Sequence, residues 1–353
     1  MKGRLAVWGR IRNPCGGHVI RVLFTGGGGA GNEALFRLFG PKYDVHFGDA
    51  DVSAIDPSIP EERRHTLPWA SDPNFVNKVG DICRSSGIDL LIPGVDEELL
   101  ALARNVEVLA PTRLLLPEEK YVETMLDKLH MADALADRNI PVPLSHTLAD
   151  ELNDIRFPCI SKPRRGRGSR GVSVLESSDD AVALRSKQGA LAREMLVQEK
   201  IDGIEYTVQM VADSHGCLRA IVPVKISVKR GITLRAVTEA EPRVAAACRE
   251  VHLAFPTCGC YNIQLILTPE GRALPFEINP RISTTLCLVV AAGIDPISIF
   301  LGNDRCDDLM PFTSGIHLQR HWANHFLLGN GINSDMPDGC RSESANGAMK
   351  TIV

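Results

Sequence analysis

Short apolar runs alternate with amphipathic segments along the first third of the chain. The apolar runs predict strands at residues 19–25, 43–47, 89–92 and 106–109. Apolar residues at helical spacing predict helices between those strands, at residues 32–39, 74–86 and 96–104. Strands that alternate with helices build a parallel sheet, so this part of the chain is predicted to be an α/β domain.

The pattern changes after residue 112. Pro117 opens a helical region that runs to about residue 139, and two prolines at positions 141 and 143 end it. Strands are then predicted at residues 157–162, 172–175, 196–201, 205–211, 220–227 and 261–268, and helices at residues 179–191 and 242–255. Because fewer helices separate these strands, the predicted fold class is α/β followed by α+β.

Composition narrows the protein class. The 353 residues are enough for two or three domains, and 44% apolar with 23% charged residues is typical of a globular protein. A net charge of -4 argues against a nucleic-acid partner, and no run of about 18 apolar residues predicts a membrane span. Residues 1–18 lack the apolar core of a secretory signal and are predicted to be an extension. The ten cysteines include no CxxC pair, which favours reduced thiols and a cytoplasmic location.

The most informative polar pattern lies in residues 274–281, Leu-Pro-Phe-Glu-Ile-Asn-Pro-Arg. On a strand, side chains at every second position share one face, so Glu277, Asn279 and Arg281 are expected to point the same way. A carboxylate and an amide oxygen suit magnesium, and a guanidinium suits a phosphate or carboxylate beside the metal. The alternative is an ordinary polar strand end, with Asn-Pro starting a turn.

Two glycine-rich loops are candidates for phosphate binding. Residues 26–31 satisfy G-x-G-x-x-G through Gly26, Gly28 and Gly31, and Asp49 or Asp51 follows the next strand, as in a dinucleotide-binding fold. Four consecutive glycines satisfy almost any glycine pattern, so a tight turn without a dinucleotide is the alternative. Residues 162–171 combine flexible backbone with five cations in ten residues but lack the G-K-[ST] ending of a Walker loop.

These motifs together resemble the ATP-grasp superfamily. Residues 157–172 are similar to its lysine strand and flexible phosphate loop, and residues 198–208 to its adenine-binding hinge. Residues 262–264 with 276–281 resemble its metal-binding strands, most closely in members similar to carbamoyl phosphate synthase. Asp127-Lys128 precedes a predicted helix in the same order along the chain. The resemblance covers about residues 20–325.

The resemblance implies specific roles for the matching residues. Contacts to ATP are implied for Lys128, Lys162, Arg167, Gly168, Ser169, Gln198, Glu199, Lys200, Ile201 and Glu205. Ligands for two magnesium or manganese ions are implied at Gln264, Glu277 and Asn279. Catalytic roles are implied for Arg281 and Lys162. Many relatives carry an acid where this chain has Gln264, and the Asp202-Gly203 turn is shorter than the hinge in other members.

The implied activity is an ATP- and magnesium-dependent ligase. It would activate a carboxylate as an acyl phosphate for attack by an amine.

The implied domains are an extension (1–18), a Rossmann-like pre-ATP-grasp domain (19–112), an ATP-grasp domain (113–328, with a lid subdomain to 197 and a larger subdomain from 198) and a loosely ordered tail (329–353). The partners expected are the carboxylate, the amine and a second copy in a homodimer. Residues 93–98, the first glycine loop and residues 283–285 are expected to line the acceptor pocket.

Two other functions remain open at this point. An NAD-dependent oxidoreductase would use Gly26, Gly28, Gly31 and Asp49. A non-catalytic nucleotide-binding module would keep the fold without turnover. Lys225 is either a further phosphate contact or an exposed strand lysine.

Overall fold

The computed structural model describes residues 19–168, 170–302, 308–321, 326–327 and 351–352. The chain divides into two compact units after Gln319. The predicted extension, Ser169 and nearly all of the predicted tail lie outside the described residues.

The first part of the chain forms a parallel five-stranded sheet. Its strands are β1 (Arg21–Thr25), β2 (Asp44–Asp49), β3 (Arg64–Thr66), β4 (Leu90–Ile92) and β5 (Arg113–Leu114), in the order β3-β2-β1-β4-β5. Its helices are α1 (Asn32–Phe39), α2 (Phe75–Ser85) and α3 (Asp96–Arg104). Along β1, Val22 and Phe24 join one core cluster while Leu23 joins another, so both faces of the sheet are covered.

A second, four-stranded sheet follows two helices. The helices are α4 (Glu119–Leu126) and α5 (Lys128–Ala136). The strands are β6 (Ser145–Thr147), β7 (Cys159–Pro163), β8 (Ser173–Leu175) and β9 (Met195–Glu199), in the antiparallel order β6-β9-β7-β8, and α6 (Ser178–Gln188) lies between β8 and β9. The core of this sheet is small and separate from the others.

A third, six-stranded antiparallel sheet is the largest. Its strands are β10 (Ile204–Ala212), β11 (Leu218–Arg230), β12 (Ile232–Thr238), β13 (Gly259–Leu267), β14 (Ala273–Asn279) and β15 (His317–Gln319), in the order β14-β13-β10-β11-β12-β15. Its helices are α7 (Pro242–Ala254), α8 (Leu286–Ala291) and α9 (Pro296–Phe300). Buried residues of this sheet and of α8 and α9 share one core cluster with β1 and β2. That shared core fixes the parallel sheet against the largest sheet.

In the second unit, β16 (Phe326–Leu327) and β17 (Thr351–Ile352) pair antiparallel. In the parts of the chain that the structure describes, no helix is both long and apolar enough to cross a bilayer.

Two sequence predictions are wrong. Residues 106–109 form a 3-10 turn instead of a strand, and the fifth parallel strand is β5. The helical region from Pro117 is two helices, because the carboxylate of Asp127 accepts hydrogen bonds from the amides of Leu129 and His130 and starts a new helix there. Strand β12 was not predicted from the sequence, and it forms a hairpin with β11 around Gly231.

We expect a histidine pair between β2 and β3 to make stability depend on pH. His46 Nδ1 lies 2.9 Å from His65 Nε2, and His46 Nε2 lies 3.4 Å from Asp44 Oδ2. Burial lowers the pKa of both imidazoles, and neighbouring Arg21 and Arg63 act in the same direction on His46. The unfolded chain therefore binds more protons than the folded chain below about pH 6.5. The contribution of the pair to the free energy of unfolding is full above that pH, and it is lost as the pH falls toward the lowered pKa values of the folded state.

The measurement is the thermal unfolding midpoint between pH 7.5 and 5. His65→Gln is expected to reduce its dependence on pH. His215→Gln, at an exposed turn, serves as the matched control and should leave that dependence unchanged. An equal dependence on pH in wild type and His65→Gln would contradict the assignment.

Candidate active site

A single large cavity of about 1300 Å³ receives residues from all three sheets. Its lining includes every described residue that the sequence assigned to ATP, metal or catalysis. Ser169 is the exception, because it lies outside the described residues. Residues separated by up to 153 positions, from Lys128 to Arg281, thus meet in one place.

Lys162 on β7 is, with Lys128, one of the two most deeply buried cations of the described cavity lining, each with 6% of its surface exposed. Its Nζ donates to Gln198 Oε1 at 2.9 Å and to the carbonyl of Phe276 at 3.4 Å, and it lies 5.1 Å from the centre of the Phe276 ring. Burial lowers the pKa of Lys162 to about 8; Lys128 and Lys229 act in the same direction, while Glu277 and Glu205 oppose them. A cation held this way attracts an anion that enters the cavity.

Lys128 lies at the first turn of α5, beside the basic loop of residues 164–171. Its Nζ donates to the carbonyl of Gly166 at 2.8 Å. The preceding Asp127 accepts two hydrogen bonds from the guanidinium of Arg164, at 3.1 and 2.9 Å. This two-point ion pair is nearly buried and fixes the start of the loop relative to the helix.

The loop itself is built from glycines in the left-handed region. Gly166, Gly168 and Gly171 have φ values of 121°, 70° and 71°, which other residues adopt only with strain. Arg167 Nε lies 3.1 Å from Glu97 Oε2, so the loop contacts the first turn of α3 in the parallel sheet's domain. The loop therefore links Lys128 on one side of the cavity with the domain of the parallel sheet.

The alternating residues of β14 face the cavity as the sequence pattern predicts. Glu277 is paired in register with Gln264 of β13, and Asn279 with Asn262. The Asn279 amide donates to Asn262 Oδ1 at 3.2 Å, which directs its own oxygen toward Arg281 Nη2 at 3.5 Å. Arg281 also pairs with Asp96 of α3, and each of these two side chains is 11% exposed.

Lys229 was missed in the sequence. Its Nζ lies 2.6 Å from Glu205 Oε1 and 3.0 Å from Gln264 Oε1, in the middle of the cavity. Lys225, which the sequence suggested instead, pairs with Glu239 at 3.3 Å and does not line the cavity. Two irregularities in the β11–β12 register, between Ile226 and Lys229, change the regular alternation along the strand. Bulges of this kind leave no clear mark in one sequence.

The three residues proposed as metal ligands fit a divalent cation, and the number of ions, two in the sequence analysis, stays a prediction. The carboxylate of Glu277 makes no hydrogen bond or ion pair within the described part of the chain, and the amide oxygens of Asn279 and Gln264 line the same cavity. One carboxylate with two neutral oxygens is a donor set that magnesium accepts. Gln264 Oε1 accepts a hydrogen bond from Lys229 here, so this ammonium must turn away before that oxygen binds a metal.

Residues 198–201, which the resemblance assigned to the hinge, line the same cavity. The amide of Glu199 donates to the carbonyl of Leu144 at 2.8 Å and thereby ties this segment to the residue before β6. Gln198 is buried between Lys162 and Ser145 Oγ, its amide donating to the hydroxyl at 2.9 Å. Gln198 therefore orients Lys162 and has little surface left for a ligand.

The first glycine loop uses Asp49 for its own structure. The amide of Gly28 donates to Asp49 Oδ2 at 2.9 Å, and the amide of Asp51 donates to Asp49 Oδ1 at 3.1 Å. Gly31 has a φ of 103° and immediately precedes α1. The carboxylate that a ribose would need therefore already accepts two backbone amides.

Glu98 belongs to residues 93–98, which were expected from the sequence to line the acceptor pocket, and it lines the cavity. It is buried, and it accepts hydrogen bonds from the hydroxyl of Thr25 and from the amides of Gly94 and Val95, both at 3.1 Å. Burial raises the pKa of Glu98 to about 7. It closes the turn between β4 and α3 at the edge of the cavity.

Comparison with known proteins agrees with this geometry. A family model described as "ATP-grasp domain" matches residues 125–285. A formate-dependent phosphoribosylglycinamide formyltransferase of Pseudomonas syringae pv. tomato is 24% identical over 300 residues, covering 77% of this chain and 72% of that protein. The carbamoyl phosphate synthase large chain of Buchnera aphidicola is 26% identical over 165 residues, covering 42% of this chain and 15% of that protein.

Among solved structures, the fold is similar to that of a biotin carboxylase from Campylobacter jejuni in complex with β,γ-ATP. The TM-score is 0.61 at 18% identity, with 80% of this chain and 71% of the other covered. None of these comparisons supports the oxidoreductase alternative. The resemblance stated from the motifs is confirmed, because the ATP-grasp family model matches residues 125–285 of this chain.

Proposed function

We propose that this protein is a ligase that uses ATP and magnesium to join a carboxylate to an amine. The observation that carries the proposal is that buried cations line the same cavity as a carboxylate that makes no hydrogen bond or ion pair within the described part of the chain. Lys162 and Lys128 supply fixed positive charge, and Glu277 faces them without a partner of its own among the described residues. The relatives' names, a formyltransferase and a carbamoyl phosphate synthase, support the same class of reaction.

Each end of the nucleotide has a matching set of side chains. The backbone of Lys200 and Ile201 would contact the adenine edge, and Glu205 would accept hydrogen bonds from the ribose hydroxyls once Lys229 turns away. Lys128 and Lys162 would bind the phosphates, and the loop with Arg167 and Gly168 would cover them. Gln264, Glu277 and Asn279 would hold the magnesium, which offsets negative charge on the phosphate oxygens when bound.

The reaction proceeds in two steps. In the first, a carboxylate oxygen attacks the γ-phosphorus, the bond to the leaving ADP oxygen breaks, and an acyl phosphate forms. In the second, the neutral amine nitrogen attacks the carbonyl carbon, the bond to the phosphate oxygen breaks, and phosphate leaves with the electron pair while the nitrogen gives up a proton. Arg281, held by Asp96 and directed by Asn279, would stabilise the charge that develops on the transferring group.

The domain boundaries are a further part of this proposal. We propose that residues 19–112 are a pre-ATP-grasp domain of Rossmann-like type, which the strand order β3-β2-β1-β4-β5 supports. Residues 113–328 would be the ATP-grasp domain, divided near residue 197 between the four-stranded and six-stranded sheets. A solved 2-oxoglutarate carboxylase domain with a similar fold is described as a dimer, and we propose a homodimer for this chain.

The direct test of the activity is release of ADP and phosphate with pooled carboxylates and amines. We expect stoichiometric release of both with at least one acid–amine pair, and about 100-fold slower release by Lys162→Ala. Lys187→Ala, at an exposed lysine of α6, is the matched control and should retain wild-type rates. Binding of ATP-Mg without turnover on any pair would favour the non-catalytic module instead.

The lowered pKa of Lys162 predicts that ATP affinity depends on pH. The ammonium is present below about pH 8 and is lost above it, so affinity should fall as the pH rises through 8, by up to about tenfold per pH unit. Lys162→Arg stays charged over this range and should give a flatter profile. Calorimetric titration with ATP-Mg from pH 7 to 9.5 measures both, and parallel profiles would argue against a phosphate contact.

The metal assignment predicts that substitution of Glu277 lowers both turnover and the dependence on magnesium. Glu277→Gln keeps the size of the side chain but removes the only unpaired carboxylate of the proposed donor set. We expect turnover to fall about 100-fold, and the magnesium dependence of ADP binding, measured by calorimetry, to weaken. Glu270→Gln, in the exposed β13–β14 turn, is the control. Unchanged magnesium dependence in Glu277→Gln would show that the metal binds elsewhere.

A further inference from the structure

The part of the cavity that the parallel-sheet domain lines differs in charge from the end proposed to bind the nucleotide, called the nucleotide end below. Between residues 26 and 98, its described lining contains three carboxylates and no lysine, arginine or histidine. The carboxylates are Asp49, which accepts two backbone amides, Glu97, which pairs with Arg167, and Glu98, which is buried and accepts three hydrogen bonds. By contrast, six cations and two carboxylates from residues 128–229 line the nucleotide end. The cations are Lys128, Lys162, Arg167, Arg170, Lys200 and Lys229, and the carboxylates are Glu199 and Glu205. The cavity is therefore electrically polarised along its length.

An exposed indole lies at the acidic end. Trp69 follows β3 and is 70% exposed. It lines the main cavity together with Leu67 and Pro68. The same three residues also line a neighbouring cavity of about 620 Å³, so the indole stands between the two. Its face offers a planar apolar surface beside the carboxylates.

We propose that this acidic, aromatic compartment binds the amine substrate, and that the amine carries an apolar, preferably planar, body and no phosphate. The inference rests on the proposed ligase function. Carboxylates attract the ammonium form of an amine, and an indole face binds both cations and flat apolar groups. The ammonium loses one proton to solvent before its nitrogen attacks.

The same charges disfavour a phosphorylated acceptor. A phosphate dianion at this end would meet Asp49 and Glu97, with no cation of the parallel-sheet domain in the described lining to offset it. Arg167 reaches this end from the basic loop, but it is paired with Glu97 at 3.1 Å. The specificity inferred here therefore differs from the phosphoribosyl substrate in the name of the Pseudomonas relative.

The test is calorimetric binding to the full chain saturated with ADP-Mg. The probes share one body and differ in charge: phenethylamine, 2-phenylethanol and phenethyl phosphate. We expect phenethylamine to bind at least ten times more tightly than the alcohol, and the phosphate to bind most weakly. Trp69→Ala should weaken phenethylamine binding at least tenfold, whereas Trp69→Phe should stay within about threefold of wild type.

Two further measurements separate the possible failures. Glu97→Gln should reduce the preference for the amine over the alcohol without abolishing binding of either. ADP-Mg affinity, titrated alone in wild type and Trp69→Ala, should be equal, because Trp69 lies away from the nucleotide end. If ADP-Mg does not bind wild type, the proposed function fails. If ADP-Mg binds but the phosphate binds best, phenethylamine does not bind, or Trp69→Ala binds the amine normally, this inference is overturned.

Discussion

The burial of the Lys162 ammonium is the constraint on which the rest of the site depends. A charge removed from water costs several kcal/mol unless partners compensate for it. Gln198 and the carbonyl of Phe276 supply those partners from two different sheets, and Glu277 balances the charge across the cavity. The four-stranded and six-stranded sheets must therefore meet at this lysine. The site gains a cation that is already oriented when an anion arrives.

A second set of ion pairs ties the parallel sheet to the same place. Asp96 holds Arg281, and Glu97 holds Arg167, so two neighbouring acids at the start of α3 contact two cations from the ATP-grasp domain. The Arg281 pair is nearly buried and the Arg167 pair is half-exposed, so the first is the stronger positional link. The basic loop is thereby tied to the domain that lines the acidic end. In the proposed function, the nucleotide and the acceptor would share this wall.

The two glycine loops also have different physical roles despite similar sequences. The first is fixed by Asp49 of β2, whose carboxylate accepts the amides of Gly28 and Asp51. The second is held at Asp127, Lys128 and Glu97, while Gly166 and Gly168 lie next to open space. A loop whose backbone amide is fixed by a neighbouring carboxylate is a structural turn, whereas glycines that border open space leave a loop room to approach a ligand. Local composition alone did not separate the two.

The sequence by itself determined the local features. Alternation along β14 placed Glu277 and Asn279 on one face, helical spacing located α1 and α3 within a residue or less, and the loop glycines marked turns that need positive φ. The tertiary structure decided the rest. Lys229 entered the site through register irregularities in a long hairpin, the segment at 106–109 became a turn, and the acidic end with Trp69 formed only when distant segments met. Periodicity and turn chemistry act over a few residues, but strand register, ion pairs and cavity walls depend on which remote surfaces are buried together.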